Sequence, residues 1–278
     1  MTIETGAGRT AWVVLGMHRS GTSSVAGTLA LLGAAAPRTL MRPAEDNPKG
    51  FWESEVVTAF NDRLLAACGS SWSDWRKLDA SALSDPTWAE EAARVLQSEF
   101  GDADAIVLKD PRICRFFPFW RRVLEGAGYA PLIVMPIRDP LEVAGSLNAR
   151  NGMDRTRAQR LWLRHVLDAE AVSRGLPRHL MGWDGFLSDW RGETARMGAR
   201  LNHPLSPTPD QAAAIDAFLS ADLRRQSSGD GRSPPLVART CAALLDLARH
   251  GEHADLHRTL DALRAELDRA CTLFPDAD

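Results

Sequence analysis

The sequence predicts an α/β protein in which a mainly parallel central sheet is flanked by helices, with additional helices at the C-terminal end. Three observations predict it. Short apolar runs alternate with helix-like segments, the pattern of strand–helix–strand crossovers. The boundaries carry a glycine loop or Asp-Pro, both of which start helices. Charged clusters follow directly after the strands, where open parallel sheets take their ligands.

Taken in order, Ala11-Trp-Val-Val-Leu15 reads as the first strand, followed by a polar loop and a helix over 25–32. An irregular stretch, 37–54, precedes a helix at 56–67 and a Trp- and Ser-rich loop at 70–83. Asp85-Pro86 caps a helix running to about Phe100, with proline in its first turn. Ala105-Ile-Val-Leu-Lys109 is a short buried strand ended by Asp110-Pro111, and 116–125 is helical. Pro131-Leu-Ile-Val-Met-Pro-Ile137 is a further strand, after which Asp139-Pro140 caps a helix to about Ala149. A long helix over 156–174 leads to a strand at 179–183, then to helices at 185–201 and 209–219. The Ser/Gly/Pro-rich segment 226–235 reads as a linker before amphipathic helices at 236–249 and 253–271. The expected organisation is one α/β domain over 1–225 and a linker with a helical appendage over 226–278. The appendage is expected to pack on the same domain or on a partner subunit, which leaves a homo-oligomer open.

A chain of 278 residues buries one substantial core. Its hydrophobic content of 45% and charged content of 25% are ordinary for a soluble globular protein. A net charge of −3 supplies no attraction to nucleic acid or an anionic membrane, and neither is an expected partner. No apolar run reaches the ~18 residues of a membrane span. Cys68, Cys114, Cys241 and Cys271 are scattered without metal-ligand spacing. A zinc site and a disulfide framework are therefore not expected, and a reducing, cytoplasmic setting is. The segment 24–37 imitates the tail of a signal peptide, but the strand and polar loop before it fit that reading poorly.

The loop after the first strand, Gly16-Met-His-Arg-Ser-Gly-Thr-Ser23, is the most informative stretch. It has the strand–loop–helix setting of a phosphate loop, where unpaired helix N–H groups hold an anion. It keeps both glycines and the final hydroxyl of G-x-x-x-x-G-K-[ST]. Thr22, however, stands where the lysine belongs, and Arg19 lies inside the loop. The cation has moved, so ordinary magnesium–nucleotide chemistry is not expected. A second charged turn, Ile137-Arg-Asp-Pro-Leu-Glu-Val-Ala-Gly-Ser146, puts Arg138 at a strand end and Ser146 about two turns into the next helix. A group at that helix N-terminus touches both, which makes the turn a candidate second phosphate site.

Together these motifs resemble the P-loop-like sulfotransferases that use 3′-phosphoadenosine-5′-phosphosulfate (PAPS), over roughly residues 11–223. Gly16–Ser23 resembles their 5′-phosphosulfate loop, especially the P-R-S-G-T-T form of tyrosylprotein sulfotransferases and bacterial members. Arg138 and Ser146 match their arginine/serine pair on the 3′-phosphate. The resemblance implies a P-loop-like three-layer fold and a transferase moving a sulfuryl group from PAPS to a hydroxyl acceptor, with PAP as product and no required metal. It implies that Arg19, Ser20, Gly21, Thr22 and Ser23 wrap the 5′-phosphate. Arg19 would also neutralise charge at the transferring group, and Lys109, in a K-D-P turn, would be a second cation there. Glu53, in Gly50-Phe-Trp-Glu53, is the expected base, with Asp110 the rival. A histidine stands at the Asp110 position in the cytosolic small-molecule enzymes, so this chain departs from their pattern. The resemblance further implies nucleotide contacts from Trp183, where the family's tyrosine is absent, and from Arg224. His18 is expected to be structural. The acceptor is left open among small molecules, glycans, lipids and peptides. A small-molecule P-loop kinase conflicts with Thr22, and gives Arg138 and Ser146 no role. A non-catalytic nucleotide-binding protein gives none to Glu53 and Lys109.

Overall fold

The computed structural model describes residues 8–45, 47–219 and 232–273. Four strands, β1 (Arg9–Val14), β2 (Ala105–Lys109), β3 (Tyr129–Ile137) and β4 (Arg178–Gly182), pair in the order β2-β1-β3-β4. All three pairings are parallel. The order follows from the crossovers: the chain leaves β1 to one side to make β2, then returns to β1's other side for β3. The reversal between β1 and β3 opens a crevice at their carboxyl ends, the place where such sheets bind ligands.

Side-chain alternation divides the core into two layers. Ala11, Val13, Ile133 and Met135 point to one face, and Trp12, Val14, Leu132 and Val134 to the other. The first face is covered by α2 (Glu55–Ala67), α3 (Pro86–Phe100), α4 (Phe117–Gly126), α5 (Pro140–Asn151) and α6 (Arg155–Ser173). The second is covered by α1 (Thr22–Leu31), α7 (Trp183–Ser188), α8 (Trp190–Arg200) and α9 (Pro209–Phe218). The layers are the α/β sandwich expected from the sequence. The segment 24–31, which mimics a leader's tail, lies in the buried helix α1.

The start signals act as read. Asp85 accepts from the Thr87 N–H, and Asp139 accepts from the Leu141 N–H at 2.7 Å. One element departs from expectation. The single helix read at 185–201 is two helices, α7 and α8, broken at Asp189, whose backbone is non-helical at φ −145° and ψ 67°. Its carboxylate accepts from the Gly192 N–H at 2.9 Å and so caps α8.

Two last helices, α10 (Pro235–His250) and α11 (Ala254–Leu273), join the first layer through Val237, Leu244, Leu260 and Leu267. The buried Arg164 on α6 ties α11 to the loop after α2. Its Nε donates to the Trp75 carbonyl at 2.8 Å and its Nη2 to Asp268 of α11 at 2.7 Å. Arg115 donates to the Asp74 and Arg76 carbonyls and pairs with Asp168 at 3.0 Å, so both sides of that loop are held. No helix among the described residues is long and apolar enough to cross a membrane.

Candidate active site

The loop after β1 closes on itself because two residues take left-handed backbone conformations, Arg19 at φ 68° and Gly21 at φ 87°. Gly21 is the N-cap of α1, whose carbonyl accepts from the Ser24 and Val25 N–H groups, so the N–H groups of Thr22 and Ser23 begin the helix at the cavity wall ahead of its first intrahelical bonds. Glycine is required at 21 for a second reason. A Cβ there would lie 2.3 Å from a ring carbon of Trp183, which packs directly on the loop and also lines the cavity. Ser20 is buried behind the loop, and its Oγ has no hydrogen-bond partner among the described residues.

The two charged turns meet. Arg19 Nε donates to Ser146 Oγ at 2.8 Å, and Arg138 Nη1 donates to the Arg19 carbonyl at 2.9 Å. Arg138 is oriented by Glu142, one turn on, whose Oε2 accepts from its Nε at 2.9 Å. The Arg138 guanidinium also lies 6.0 Å from the centroid of the Trp183 ring.

At the far side of the loop, Lys109 ends β2 and is buried. Its Nζ donates to the Phe51 carbonyl at 2.9 Å, to Ser23 Oγ at 3.3 Å and to the Glu53 carboxylate. Glu53 is fixed by its backbone, because its carbonyl accepts from the Met41 N–H at 2.8 Å. It is not the cap of α2; Ser54 holds that place and accepts from the Val57 N–H at 2.9 Å. Burial pushes the Glu53 carboxyl above the usual carboxylate range. The Asp110 charge adds to that, while Lys109 pulls the other way.

Asp110 has a different occupation. Its Oδ1 accepts from the Arg112 N–H at 2.9 Å and from Arg112 Nη1 at 3.1 Å. Its Oδ2 accepts from Asn61 Nδ2 at 2.9 Å, and Asn61 in turn accepts from Trp120 Nε1 at 2.8 Å. This carboxylate is 1% exposed and does not line the cavity, which it would have to do to reach an acceptor proton.

Arg19, Gly21, Thr22, Ser23, Glu53, Lys109, Arg138, Ser146 and Trp183 thus surround one cavity. Ser20 lies just behind it, Asp110 is turned away, and Arg224 lies outside the described residues. His18 lines the same cavity and packs edge-on against Trp72, ring centroids 5.1 Å apart. Burial holds its imidazole well below the ordinary value, with the charge of Arg112 acting the same way, so it is neutral.

Among the residues at the site that the sequence did not single out are Phe51, Glu142 and Arg150. Phe51 contributes a carbonyl, which any residue has, so no side-chain pattern marks it. Glu142 and Arg150 stand four residues beyond Arg138 and Ser146 respectively, and that helical spacing was the available signal.

The residues present suit a doubly charged phosphate ester carrying a second anion. The loop offers N–H donors, the hydroxyls of Thr22 and Ser23, and Arg19, and the adjoining turn offers Arg138 and Ser146.

No family model matches the chain, and no curated protein matches it. Among solved structures, it is similar to the sulfotransferase domain from the curacin biosynthetic pathway, at 13% identity and TM-score 0.44, covering 92% of this chain and 97% of that one. It is similar to the sulfotransferase domain from the Synechococcus PCC 7002 olefin synthase, at 15% identity and TM-score 0.45, covering 92% and 94%. A third is mouse sulfotransferase SULT7A1 complexed with PAP, at 14% identity and TM-score 0.41, covering 94% and 85%. With identities this low, the chemistry is carried by the residues of the cavity itself.

Proposed function

We propose that this protein is a sulfotransferase that moves a sulfuryl group from PAPS to the hydroxyl of an acceptor. One observation carries the reading. Arg19 is tied to both anion sites, its Nε bonded to Ser146 at 2.8 Å and its carbonyl to Arg138 at 2.9 Å, in a cavity that also holds the Lys109–Glu53 pair. Two linked anion sites beside a cation and a carboxylate suit a donor with a 5′-phosphosulfate and a separate 3′-phosphate. A nucleoside triphosphate has a single phosphate chain and leaves the second site without a role.

When bound, PAPS supplies an electrophilic sulfur on a phosphate leaving group. The loop N–H groups, Thr22, Ser23 and Arg19 would hold the 5′ end, and Arg138 with Ser146 the 3′-phosphate. Lys109 and Arg19 stabilise the negative charge that grows on the bridging oxygen as the sulfur–oxygen bond breaks. Removing one such donor typically costs about 2.7–4 kcal/mol of barrier. Glu53 accepts the proton of the acceptor hydroxyl while its oxygen bonds to sulfur, and the products are a sulfate ester and PAP. Glu53 is favoured over Asp110 because Asp110 is engaged on both oxygens by Arg112 and Asn61 and does not line the cavity. Lys109 holds Glu53 in place, and its burial raises the carboxyl's proton affinity, which suits a base.

Thermal shifts with PAP and with ATP, each with and without magnesium, test the reading. Stabilisation by PAP without metal is expected, about 2.7 kcal/mol at a hundredfold excess over Kd. Stabilisation by ATP–magnesium alone would overturn it.

A further inference from the structure

We propose that Trp52 is a positioning residue for the transfer chemistry: its anchored indole holds the chain in a left-handed turn that aims the Phe51 carbonyl and the Glu53 carboxylate at the Lys109 ammonium. The proposal rests on the sulfuryl-transfer reading above, which gives Lys109 and Glu53 their roles. Two acceptors from residues two apart converge on one nitrogen. Lys109 Nζ donates to the Phe51 carbonyl at 2.9 Å and to the Glu53 carboxylate, and Ser23 Oγ donates to the same Phe51 carbonyl at 3.0 Å. In an extended chain the carbonyls lie along the pleated sheet and the side chains stand out of it, so two such acceptors diverge. The residue between them is the turning point. Trp52 has φ 57°, a region that a bulky side chain enters only under strain and keeps only where its surroundings over-determine it.

The surroundings do so. The Trp52 ring does not line the cavity and packs instead on the second layer of the core. Its Nε1 donates to the Lys49 carbonyl at 3.1 Å, and its ring meets Phe218 of α9 edge-on, with centroids 5.6 Å apart. Both rings sit over Gly27 of α1, where a Cβ would stand 2.8 Å from a ring carbon of Trp52 and 2.3 Å from one of Phe218. The missing side chain at 27 is the notch that receives the indole. Ser23 and Gly27 are one turn apart on α1, so one helix face presents both the hydroxyl for the Phe51 carbonyl and the notch for the ring. The chain is also pinned on either side. The Gly50 carbonyl accepts from Asn47 Nδ2 at 2.7 Å, and the Glu53 carbonyl accepts from the Met41 N–H at 2.8 Å. What this joint holds is a buried ion pair, with the Lys109 and Glu53 side chains 3% and 6% exposed. Such a pair depends on geometry, since displacing one partner leaves the other charge uncompensated. Ring packing on α1 and α9 thereby sets where the acceptor's proton is taken.

The test uses the full chain and the Lys109 ammonium as its probe. The chain has three lysines, Lys49, Lys77 and Lys109, so side-chain 15N labelling of lysine gives a three-signal spectrum, assigned by Lys49→Arg and Lys77→Arg. Proton exchange at Lys109 Nζ reports how firmly Phe51 and Glu53 hold it. Three substitutions separate ring from backbone. Trp52→Val removes the ring and disfavours positive φ, Trp52→Gly removes the ring and takes positive φ freely, and Trp52→Phe keeps a ring over Gly27. Trp52→Val is expected to speed Lys109 exchange by about tenfold, with Trp52→Gly and Trp52→Phe each recovering part of the protection. Gly27→Ala, which fills the notch and leaves residue 52 unchanged, is expected to speed it as well, and serves if Trp52→Val does not fold. In a Glu53→Gln background Trp52→Val should add a smaller factor than in the wild type, because one of the two contacts it serves is already gone; a general loss of stability would add in full. The PAP Kd should stay within about twofold in Trp52→Val, since the ring does not line the cavity. Lys109 exchange no faster in Trp52→Val and Gly27→Ala than in the wild type overturns the proposal, as does full additivity with Glu53→Gln. Exchange in Trp52→Gly as fast as in Trp52→Val overturns the part played by the left-handed turn. Wild-type protein that protects Lys109 but fails to bind PAP indicts the sulfotransferase reading instead.

Discussion

Replacing Gly21 with alanine perturbs the phosphate loop by the smallest chemical change available, and the structure sets its size. The added methyl would lie 2.3, 2.6 and 2.7 Å from three ring carbons of Trp183, where van der Waals contact requires about 3.5 Å or more. The ring cannot swing away freely, being 2% exposed and packed against Phe186. Forcing such overlap costs about 1–3 kcal/mol. The φ of 87° adds about 1–2 kcal/mol, because alanine tolerates that conformation poorly. Gly21→Ala is therefore expected to lose about 2–5 kcal/mol of stability in urea titrations. The two causes separate in a double-mutant cycle. In a Trp183→Leu background the ring is gone, and Gly21→Ala should cost only the backbone part, about 1–2 kcal/mol. PAP affinity should fall with Gly21→Ala in the wild-type background, since the displaced indole carries the wall next to Arg138. An equal cost in both backgrounds would show that Trp183 does not press on the loop, and the packing argument would fail.

Other expectations follow from the same site. Glu53→Gln should leave PAP affinity within about twofold and reduce turnover at least a hundredfold, the scale of a lost general base; turnover near wild type would remove Glu53 from that role. Asp110→Asn should behave oppositely, losing about 1–3 kcal/mol of stability as the buried bonds to Arg112 and Asn61 are disturbed, less than a fully broken buried pair because Arg112 keeps Asp62 at 2.6 Å, with turnover of the folded fraction largely kept. Arg138→Ala should weaken PAP by at least tenfold, about 1.4 kcal/mol, with little effect on an acceptor's KM. Glu252 supplies a pH test away from the site: hydrogen bonds from Arg178 pull its carboxyl down to about 2. A folded value below the unfolded one means this stability is present above about pH 4.3 and is lost as pH falls toward 2. With 42% of the side chain exposed, solvent screening reduces it to about 1 kcal/mol. Glu252→Gln should therefore lower Tm at pH 7 and not near pH 2.

The sheet was readable from sequence because its strands are buried on both faces and appear as unbroken apolar runs; β2 matches its predicted span residue for residue. Helix starts were readable at Asp85-Pro86 and Asp139-Pro140, while the short 3-10 helix Pro111–Arg115, capped by Asp110, was read only as the end of β2. The break at Asp189 was not, because an aspartate followed by Trp-Arg-Gly carries no proline and both flanking segments keep helical composition. In the site, residue types were readable and partners were not. Lys109 and Glu53 stand 56 positions apart, and Arg19 and Ser146 stand 127 apart. Only the crossover that sets β1 between β2 and β3 brings each pair together. Asp110 looked like a rival base because its place in the chain, after β2, is that of one. Its side-chain direction is decided by Asn61 and Arg112, whose approach no local pattern encodes.

Arg164 bonds at once to the loop after α2 and to the last helix, and that has a consequence for how the protein tolerates change. The loop's Trp72 rests on His18, so the phosphate loop, the Trp-rich loop and α11 form one mechanical chain. Shortening the protein at its C-terminal end, or redesigning α11 for solubility, would reach the cavity behind β1 through that chain. Such variants should be judged by turnover as well as by yield.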